Sequence, residues 1–241
     1  MVTGMASEPQ RVVIVTGGSQ GIGAGIVAAY RRAGWSVVAN ALSMEPSADA
    51  GVMVVEGDIS EITTVERVIE GARGHFGRLD TLVNNAGIFI SKPFIEYTKA
   101  DYDLVVGVNL TGFFCLTQRA IAEMLTRGGG HVVNITATAA ELANSKDQSL
   151  LAALTKGGVA SATRALAIEY AQKGIRVNAV SPAPVQTRLH PPESYESLIG
   201  SIPLGRLGQV SDVVGAVLFL EESPFITGET LHVDGGQSAG R

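Results

Sequence analysis

The stretch Val12-Val13-Ile14-Val15-Thr16-Gly17-Gly18-Ser19-Gln20-Gly21-Ile22-Gly23 decides the fold of this chain. Its first four residues are apolar and β-branched, which predicts a short, fully buried strand. Apolar residues then recur at helical spacing, at Ile26, Val27 and Tyr30. A glycine-rich turn therefore joins a buried strand to a helix. Glycines let a backbone approach an oxyanion, and a helix N-terminus offers unpaired N–H groups, so the turn predicts a phosphate site.

The glycine spacing in this turn is Gly-x-x-x-Gly-x-Gly, which differs from the common Gly-x-Gly-x-x-Gly dinucleotide fingerprint. Taken alone, the turn is also compatible with a plain strand–turn–helix connection. The rest of the chain has to decide between these two interpretations.

Composition restricts the class of protein. The chain has 241 residues and 46% hydrophobic residues, which suits one large α/β domain with a sizeable core. Its net charge of −5 and the lack of a basic run argue against nucleic acid as the main partner. Cys115 is the single cysteine, so no intrachain disulfide forms and a reducing compartment is favoured. With neither a signal peptide nor an uninterrupted apolar run of about 18 residues, we expect a cytoplasmic protein without a membrane span.

Strand-like and helical patterns alternate along the chain, which predicts a parallel sheet with helices on both faces. We therefore expect one Rossmann-type, doubly wound α/β domain over residues 11–241, with seven strands, after a polar leader at 1–10. Residues 183–210 contain several prolines and are expected to form a loop that acts as a substrate lid. The predicted strands are 11–16, 35–40, 52–56, 79–84, 130–136, 175–180 and 229–233, and the predicted helices are 21–33, 61–75, 99–127, 150–173 and 211–221.

The end of the second strand bears on the choice of coenzyme. In dinucleotide-binding folds an acidic residue at this place hydrogen-bonds the adenosine ribose of NAD. Here the chain has the neutral residues Asn40 and Ser43 instead, with no arginine or lysine nearby. A 2′-phosphate would not be repelled, so the sequence slightly favours NADP(H) over NAD(H).

Three further polar positions follow predicted strands or interrupt a predicted helix. Asp58-Ile59 follows the third strand, where Asp58 either accepts from an adenine amino group, with Ile59 over the ring, or caps the next helix. Asn84-Asn85-Ala86-Gly87 ends the fourth strand with small and amide-bearing residues, which either close on a ribose or stabilise the central strand. Asn109 lies inside a helical pattern, where asparagine is disfavoured, and predicts a local kink that holds a water molecule.

In order and spacing, these elements resemble the short-chain dehydrogenase/reductase family over nearly the whole chain. The resemblance implies a Rossmann-type domain, NAD(H) or NADP(H) binding, hydride transfer between nicotinamide and an alcohol or carbonyl, and a homodimer or homotetramer. It rests on Thr16 to Gly23, Asp58, Asn84 to Gly87, Asn109, Lys156, Arg176 to Pro182, and Gly228 to Gly236.

The resemblance also implies a set of coenzyme contacts and no metal ligands. Asn109 and Lys156 are the expected retained catalytic residues, and Thr187 is the expected contact of the carboxamide. The expected coenzyme-binding residues are Thr16, Gly17, Ser19, Gln20, Gly21, Ile22, Gly23, Asn40, Ser43, Asp58, Ile59, Asn85, Ala86, Gly87, Lys156, Pro182, Val185 and Thr187.

The chain departs from the family's pattern at the residues that carry proton transfer. The family's acid is a tyrosine four residues before the lysine, and here that position is Ala152. The family's serine falls at Ala137, where the flanking hydroxyls of Thr136 or Thr138 are possible substitutes. A methyl at Ala183, where the family usually has glycine, is expected to tighten the nicotinamide pocket. Other candidates for the acid, each also explained as a solvated loop residue, are Glu141, Lys146, Asp147, Tyr97, His190 and Tyr195, with His190 the best of them.

These observations support three functions. The first is an atypical oxidoreductase that acts on a small carbonyl, imine or enone, with water held by Asn109 and Lys156 as one proton source. The second is a non-catalytic nucleotide-binding sensor or partner subunit. The third is a non-redox enzyme, such as a cyclase or dehydratase, on the same fold.

Overall fold

The computed structural model describes residues 10–143 and 148–240. Seven strands form one sheet in which every paired strand is parallel, in the order β3-β2-β1-β4-β5-β6-β7. This confirms the predicted doubly wound, seven-stranded sheet. The strands are β1 Val12–Thr16, β2 Ser36–Ala41, β3 Val52–Glu56, β4 Thr81–Asn84, β5 Gly130–Ile135, β6 Ile175–Pro182 and β7 Thr230–Val233.

Helices connect the successive strands, except β2 and β3, which a loop joins, and they cover both faces of the sheet. They are α1 Gly21–Arg32, α2 Ile62–Glu70, α3 Lys99–Val106, α4 Phe113–Leu125, α5 Leu150–Tyr170, α6 Tyr195–Ile199 and α7 Val210–Glu222. Because strand side chains alternate between faces, Val12 and Ile14 pack into one core with α2 and α4, whereas Val13 and Val15 pack into the other with α1 and α7.

The strand order changes direction between β1 and β4. β1 pairs with β2 on one side and with β4 on the other, so the chain crosses the sheet here. A doubly wound sheet binds its ligand outside the carboxyl ends of the strands at such a switch point. The glycine-rich turn after β1 lies at this place.

Two helical patterns are less regular than the sequence predicts. The long pattern at 99–127 is interrupted by a π-helical turn, Gly107–Gly112, which contains Asn109. α2 likewise ends in a π-helical turn, Gly71–His75. The proline-rich segment contains the short helix α6, which the sequence analysis did not predict.

One helical stretch, Lys99–Leu125, is long and apolar enough to cross a membrane by length and composition alone. Core helices of soluble proteins meet the same criterion, and α4 buries Leu116, Ala120 and Met124. The stretch is therefore weak evidence for a membrane span.

Candidate active site

The turn after β1 is built around glycines that no other residue can replace without strain. Gly17 and Gly21 have φ angles of 66° and 54°, in the left-handed region. A Cβ atom at Gly23 would lie 2.0 Å from the carbonyl oxygen of Gly17. The backbone therefore folds back on itself tightly in front of α1.

A reciprocal set of hydrogen bonds fixes this turn to the end of β4. Thr16 Oγ1 accepts from the backbone N–H groups of Asn85 and Ala86, at 3.0 and 2.9 Å. Asn85 Nδ2 donates to the carbonyl oxygens of Thr16 and Gly17, at 2.9 and 3.2 Å. Thr16 and Asn85 thus position the backbone of the turn.

The N-terminus of α1 directly follows the glycine turn. Gln20 occupies the N-cap position and makes no side-chain hydrogen bond to the helix, and Ser19 and Gln20 are exposed. The methyl group of Thr187 lies beside Gly21: a Cβ atom added at Gly21 would be 3.3 Å from Thr187 Cγ2. Uncapped helix amides beside a glycine turn suit the pyrophosphate of a dinucleotide.

At the other end of the predicted coenzyme site, the Asn40 side chain points into the protein and bonds to backbone carbonyls. Its side chain is 1% exposed and donates to the carbonyl oxygens of Val55 and Gly57, at 2.9 and 3.1 Å. The amide therefore connects β2 to the end of β3 and faces away from solvent. Ser43 is exposed, and its hydroxyl lies 3.4 Å from the Glu56 carboxylate.

Asp58 and Ile59 differ in how well they suit an adenine ring. Asp58 Oδ1 accepts from the N–H of Ser60 at 2.8 Å, but the N-cap of α2 is Glu61 and no side chain caps this helix, so the predicted capping role is wrong. Ile59 is 5% exposed and packs in the core with Val65 and Val68. Its side chain therefore belongs to the core and does not form an open surface for a base.

Asn109 and Lys156 both lie close to Gly87. A Cβ atom at Gly87 would lie 3.1 Å from Lys156 Nζ and 3.4 Å from Asn109 Oδ1. Lys156 Nζ donates to the carbonyl oxygen of Ile135 at 2.7 Å. Burial lowers the pKa of Lys156 to about 8, because the charged ammonium loses hydration.

The side chain of Asn109 is fully engaged by protein groups. Its Oδ1 accepts from the N–H of Ile88 at 2.9 Å, and its Nδ2 donates to the carbonyl of Ile88 and to Thr155 Oγ1, both at 3.1 Å. The predicted local distortion exists as a π-helical turn, but this amide holds a neighbouring loop and α5 instead of a water molecule.

Ala152 lies one helical turn before Lys156 on α5 and is 6% exposed. Ala137 follows β5 and is half-buried. Neither neighbouring threonine hydroxyl is directed to a substrate: Thr136 Oγ1 donates to the carbonyl of Val180, and Thr138 Oγ1 donates to Gln237 Oε1. These contacts do not favour either threonine as a substitute for the family's serine.

All five tyrosines lie in the described residues, and none of their hydroxyls hydrogen-bonds Lys156 there. The hydroxyl of Tyr97, one of the candidate acids, donates to the carbonyl oxygens of Ile90 and Gln148 at 2.8 and 3.1 Å. It thereby joins the loop after β4 to the segment before α5, and its proton is already used.

The remaining candidate acids fall into two groups. Glu141 lies 2.9 Å from His232 Nε2 on β7, in a half-exposed pair. His190 lies in the proline-rich segment, where its backbone N–H donates to the carbonyl oxygen of Thr187 at 3.2 Å. Lys146 and Asp147 lie outside the described residues.

The segment from Pro182 to Gly208 closes over the carboxyl end of β6. Val185 is buried and bridges to Gly208. Within this segment the Ala183 methyl packs with Ile202 and Leu207 in a small apolar cluster. The methyl group therefore stabilises the proline-rich segment. This packing differs from the expectation that the methyl tightens the nicotinamide pocket.

The sequence analysis missed Glu56, at the end of β3. Its carboxylate accepts from the backbone N–H of Met44 at 3.2 Å, beside Ser43. Glu56 is the parallel partner of Ala41, the last residue of β2. Strand register alone brings this carboxylate to the end of β2, so a search of β2 for acidic residues cannot find it.

Known proteins match this fold and site along almost the whole chain. A family model described as Enoyl-(Acyl carrier protein) reductase matches residues 17–238. The acetoacetyl-CoA reductase of Rhizobium meliloti is 38% identical over 238 residues, which cover 94% of this chain and 98% of that protein.

Two solved structures are also similar. The 3-ketoacyl-(acyl-carrier-protein) reductase from Brucella melitensis, complexed with NADH, has a TM-score of 0.88 and 32% identity, over 95% of this chain and 98% of that one. ElxO with NADP bound has a TM-score of 0.89 and 28% identity, over 96% of this chain and all of that one. A doubly wound sheet with a dinucleotide cradle at its switch point defines the class. The chain belongs to the short-chain dehydrogenase/reductase family.

Proposed function

We propose that this protein is an atypical oxidoreductase of its family, which binds NAD(H) or NADP(H) and transfers hydride to a small carbonyl, imine or enone without a tyrosine acid. Its relatives are named as reductases, and similar structures carry NADH or NADP.

One observation carries the proposal. Lys156 keeps the place of the family's lysine, next to Gly87 and bonded to Ile135, while Ala152 stands where the resemblance expects the tyrosine. In this proposal the glycine turn and Lys156 hold the coenzyme, whereas a methyl group stands where the family's tyrosine would supply a proton.

The residues of the chain divide the work as follows. A bound nicotinamide dinucleotide supplies the hydride. The turn from Gly17 to Gly23 and the N-terminus of α1 hold the pyrophosphate, and Lys156 holds the ribose. Pro182, Val185 and Thr187 border the nicotinamide end in this proposal, and residues 183–210 act as the substrate lid.

Lys156 also has the properties of a proton source. A pKa of about 8 keeps its ammonium protonated at neutral pH and makes it a stronger acid than an ordinary lysine. In the proposed reaction the ammonium gives its proton to the reduced substrate, directly or through water. Asn109 acts by holding Ile88 and Thr155 in place, not by binding that water through its amide.

This arrangement restricts the substrate. A positioned acid typically contributes about 10²–10⁴-fold to proton transfer, so reduction of an ordinary ketone is impaired without the tyrosine. A protonated imine needs no further proton on its nitrogen when hydride is added. A conjugated enone accepts hydride at carbon and forms an enolate, whose protonation by solvent needs no tyrosine.

The same observation supports one other function. If the coenzyme binds and no hydride is transferred, the protein is a nucleotide sensor or a partner subunit of an active relative. Proteins of either kind would retain the glycine turn and the Thr16–Asn85 hydrogen bonds, because binding alone requires them.

We also propose that the protein is a cytoplasmic homodimer or homotetramer. Large apolar side chains are exposed on helices α4 and α5, at Phe114, Leu154 and Ile168. Replacing Phe114 and Leu154 together by glutamate is expected to lower the mass measured by light scattering after size exclusion. An unchanged mass would contradict the use of these faces between subunits.

The function is tested by binding and turnover measured on the same preparation. We expect the nicotinamide fluorescence of NADH or NADPH to report binding, and imines or enones to be turned over faster than matched ketones. Binding of neither coenzyme would contradict both the oxidoreductase and the sensor. Binding without turnover of any class would support the sensor.

A further inference from the structure

We propose that Glu56 is the residue that selects the coenzyme and that it makes the protein prefer NAD(H) over NADP(H). This inference rests on the proposed function, because it concerns the adenosine end of the same coenzyme site. It reverses the slight preference for NADP(H) that the sequence indicates.

Strand register is the first step of the argument. In doubly wound folds the carboxylate that binds the adenosine ribose comes from the end of the second strand. Here that strand ends at Ala41, whose methyl carries no polar group. Glu56 is the parallel partner of Ala41 on β3, so the two side chains project from the same face of the sheet. Neighbouring strands are about 4.8 Å apart, a span that a glutamate side chain can bridge.

The contacts of Glu56 show the direction of its side chain. Its Oε2 lies 3.2 Å from the backbone N of Met44 and 3.4 Å from Ser43 Oγ. Both partners belong to the segment that follows β2. The carboxylate therefore lies over the end of β2, where an aspartate or glutamate at position 41 would have placed its own.

No cation offsets this charge among the residues that the structure describes. Glu56 takes part in no ion pair there. Arg67 reaches Glu56 from α2, but its Nη2 donates to the backbone carbonyl at 2.6 Å and lies 3.4 Å from Thr64 Oγ1. The guanidinium is thus held on the α2 face, whereas the carboxylate extends toward Met44.

The two coenzymes differ at one position that this carboxylate distinguishes. The 2′-hydroxyl of NAD(H) can donate to a carboxylate in a charge-assisted hydrogen bond. The 2′-phosphate of NADP(H) brings up to two negative charges to the same place and would be repelled. Ser43 offers a hydroxyl to either ligand and does not separate them.

The test compares the dissociation constants of NADH and NADPH for the full chain by fluorescence titration. For the wild-type protein we expect NADH to bind about tenfold to a hundredfold more tightly, the ratio given by one charge-assisted hydrogen bond. Glu56→Gln is expected to bring the two constants within about threefold, and Glu56→Lys to make NADPH the tighter ligand.

Glu45→Gln is the matched control, because it removes an exposed carboxylate from the same loop without touching Met44 N or Ser43. It should leave the ratio unchanged, and melting curves check that all variants fold. Equal binding of both coenzymes by the wild type, or an equal shift in Glu45→Gln, would overturn the selection by Glu56 alone. Binding of neither coenzyme by the wild type would overturn the proposed function and this inference with it.

Discussion

The coenzyme cradle and the reaction pocket lie side by side at one edge of the sheet, yet they depend on different kinds of group. The cradle consists of backbone: glycines with positive φ, helix amides and a turn fixed by Thr16 and Asn85. The pocket depends on side-chain hydroxyls, and Ala137 and Ala152 have none. The difference teaches that a backbone-built binding site does not depend on the side chains that the family uses for proton transfer.

The largest expected effect is a change that breaks the cradle. In Gly23→Ala the new methyl carbon would lie 2.0 Å from Gly17 O, far inside van der Waals contact, so the turn must open. We expect NADH affinity to fall by about a hundredfold or more, because the phosphate-binding amides move apart.

Gly215→Ala is the control for this variant. Gly215 lies in α7, where a Cβ atom would meet nothing within 4 Å, and alanine favours a helix by about 1 kcal/mol. Unchanged affinity in Gly215→Ala and loss in Gly23→Ala are expected by titration. Full affinity in both would show that the turn does not hold the phosphates.

The next effect tests Lys156, the proton source in the proposed reaction. Lys156→Met keeps the length of the side chain and removes the ammonium, so turnover of a carbonyl substrate, which needs a proton after hydride transfer, should fall by about 10²-fold. In the wild type the reductive rate should be constant below pH 8 and decline above it, because the donor loses its proton with a pKa of about 8. A rate that is independent of pH from 6 to 10 would exclude Lys156 as the acid.

A smaller effect is expected at the hydrogen bonds that fix the glycine turn to the end of β4. Thr16→Val leaves the N–H groups of Asn85 and Ala86 without their acceptor, at a cost of about 1–3 kcal/mol in the free energy of unfolding. Thr16→Ser keeps the oxygen and should retain most of that stability. Urea denaturation of both variants measures the difference, and equal stability would show that the hydroxyl does not support the turn.

The smallest effect lies at the opposite end of the sheet, away from both regions. His131 is buried against Glu221, and burial lowers the pKa of its imidazole below 6.5. The unfolded chain therefore binds a proton there more readily than the folded one, and stability is lost as the pH falls through about 6.5.

Urea midpoints from pH 8 to pH 5 measure this loss, and His131→Gln should reduce it. An identical acid dependence in the variant would assign the loss to other groups. NADH affinity should not follow His131, which separates this structural network from the coenzyme cradle.

Most of the fold follows from the sequence because its signals are local. The β-branched runs give all seven strands, with ends within two residues of those observed, and the glycine turn marks the switch point. The helix α6 was not predicted because prolines disfavour a continuous helix, and Pro191 and Pro192 lie just before this short one. The π-helical turn at Asn109 was visible only as a disfavoured residue in a helix.

The side-chain roles were harder to predict because they depend on which face a residue occupies. Asn40 and Ile59 were expected to contact the coenzyme, but strand alternation and core packing turn both away from it. Glu56 reaches the coenzyme site only through the pairing of β2 with β3. Residues distant in sequence meet through register, and a pattern within one strand does not contain that information.

The most direct test restores the two missing hydroxyls beside an unchanged cradle. The double variant Ala152→Tyr/Ala137→Ser is compared with the double variant Ala152→Phe/Ala137→Ser. The second has the same aromatic ring and lacks only the phenolic hydroxyl. We predict that both variants keep the NADH affinity of the wild type within about threefold, and that only the tyrosine variant gains ketone reduction, by about 10²–10⁴-fold. A wild-type protein that already reduces ketones as fast as the tyrosine variant would contradict the account.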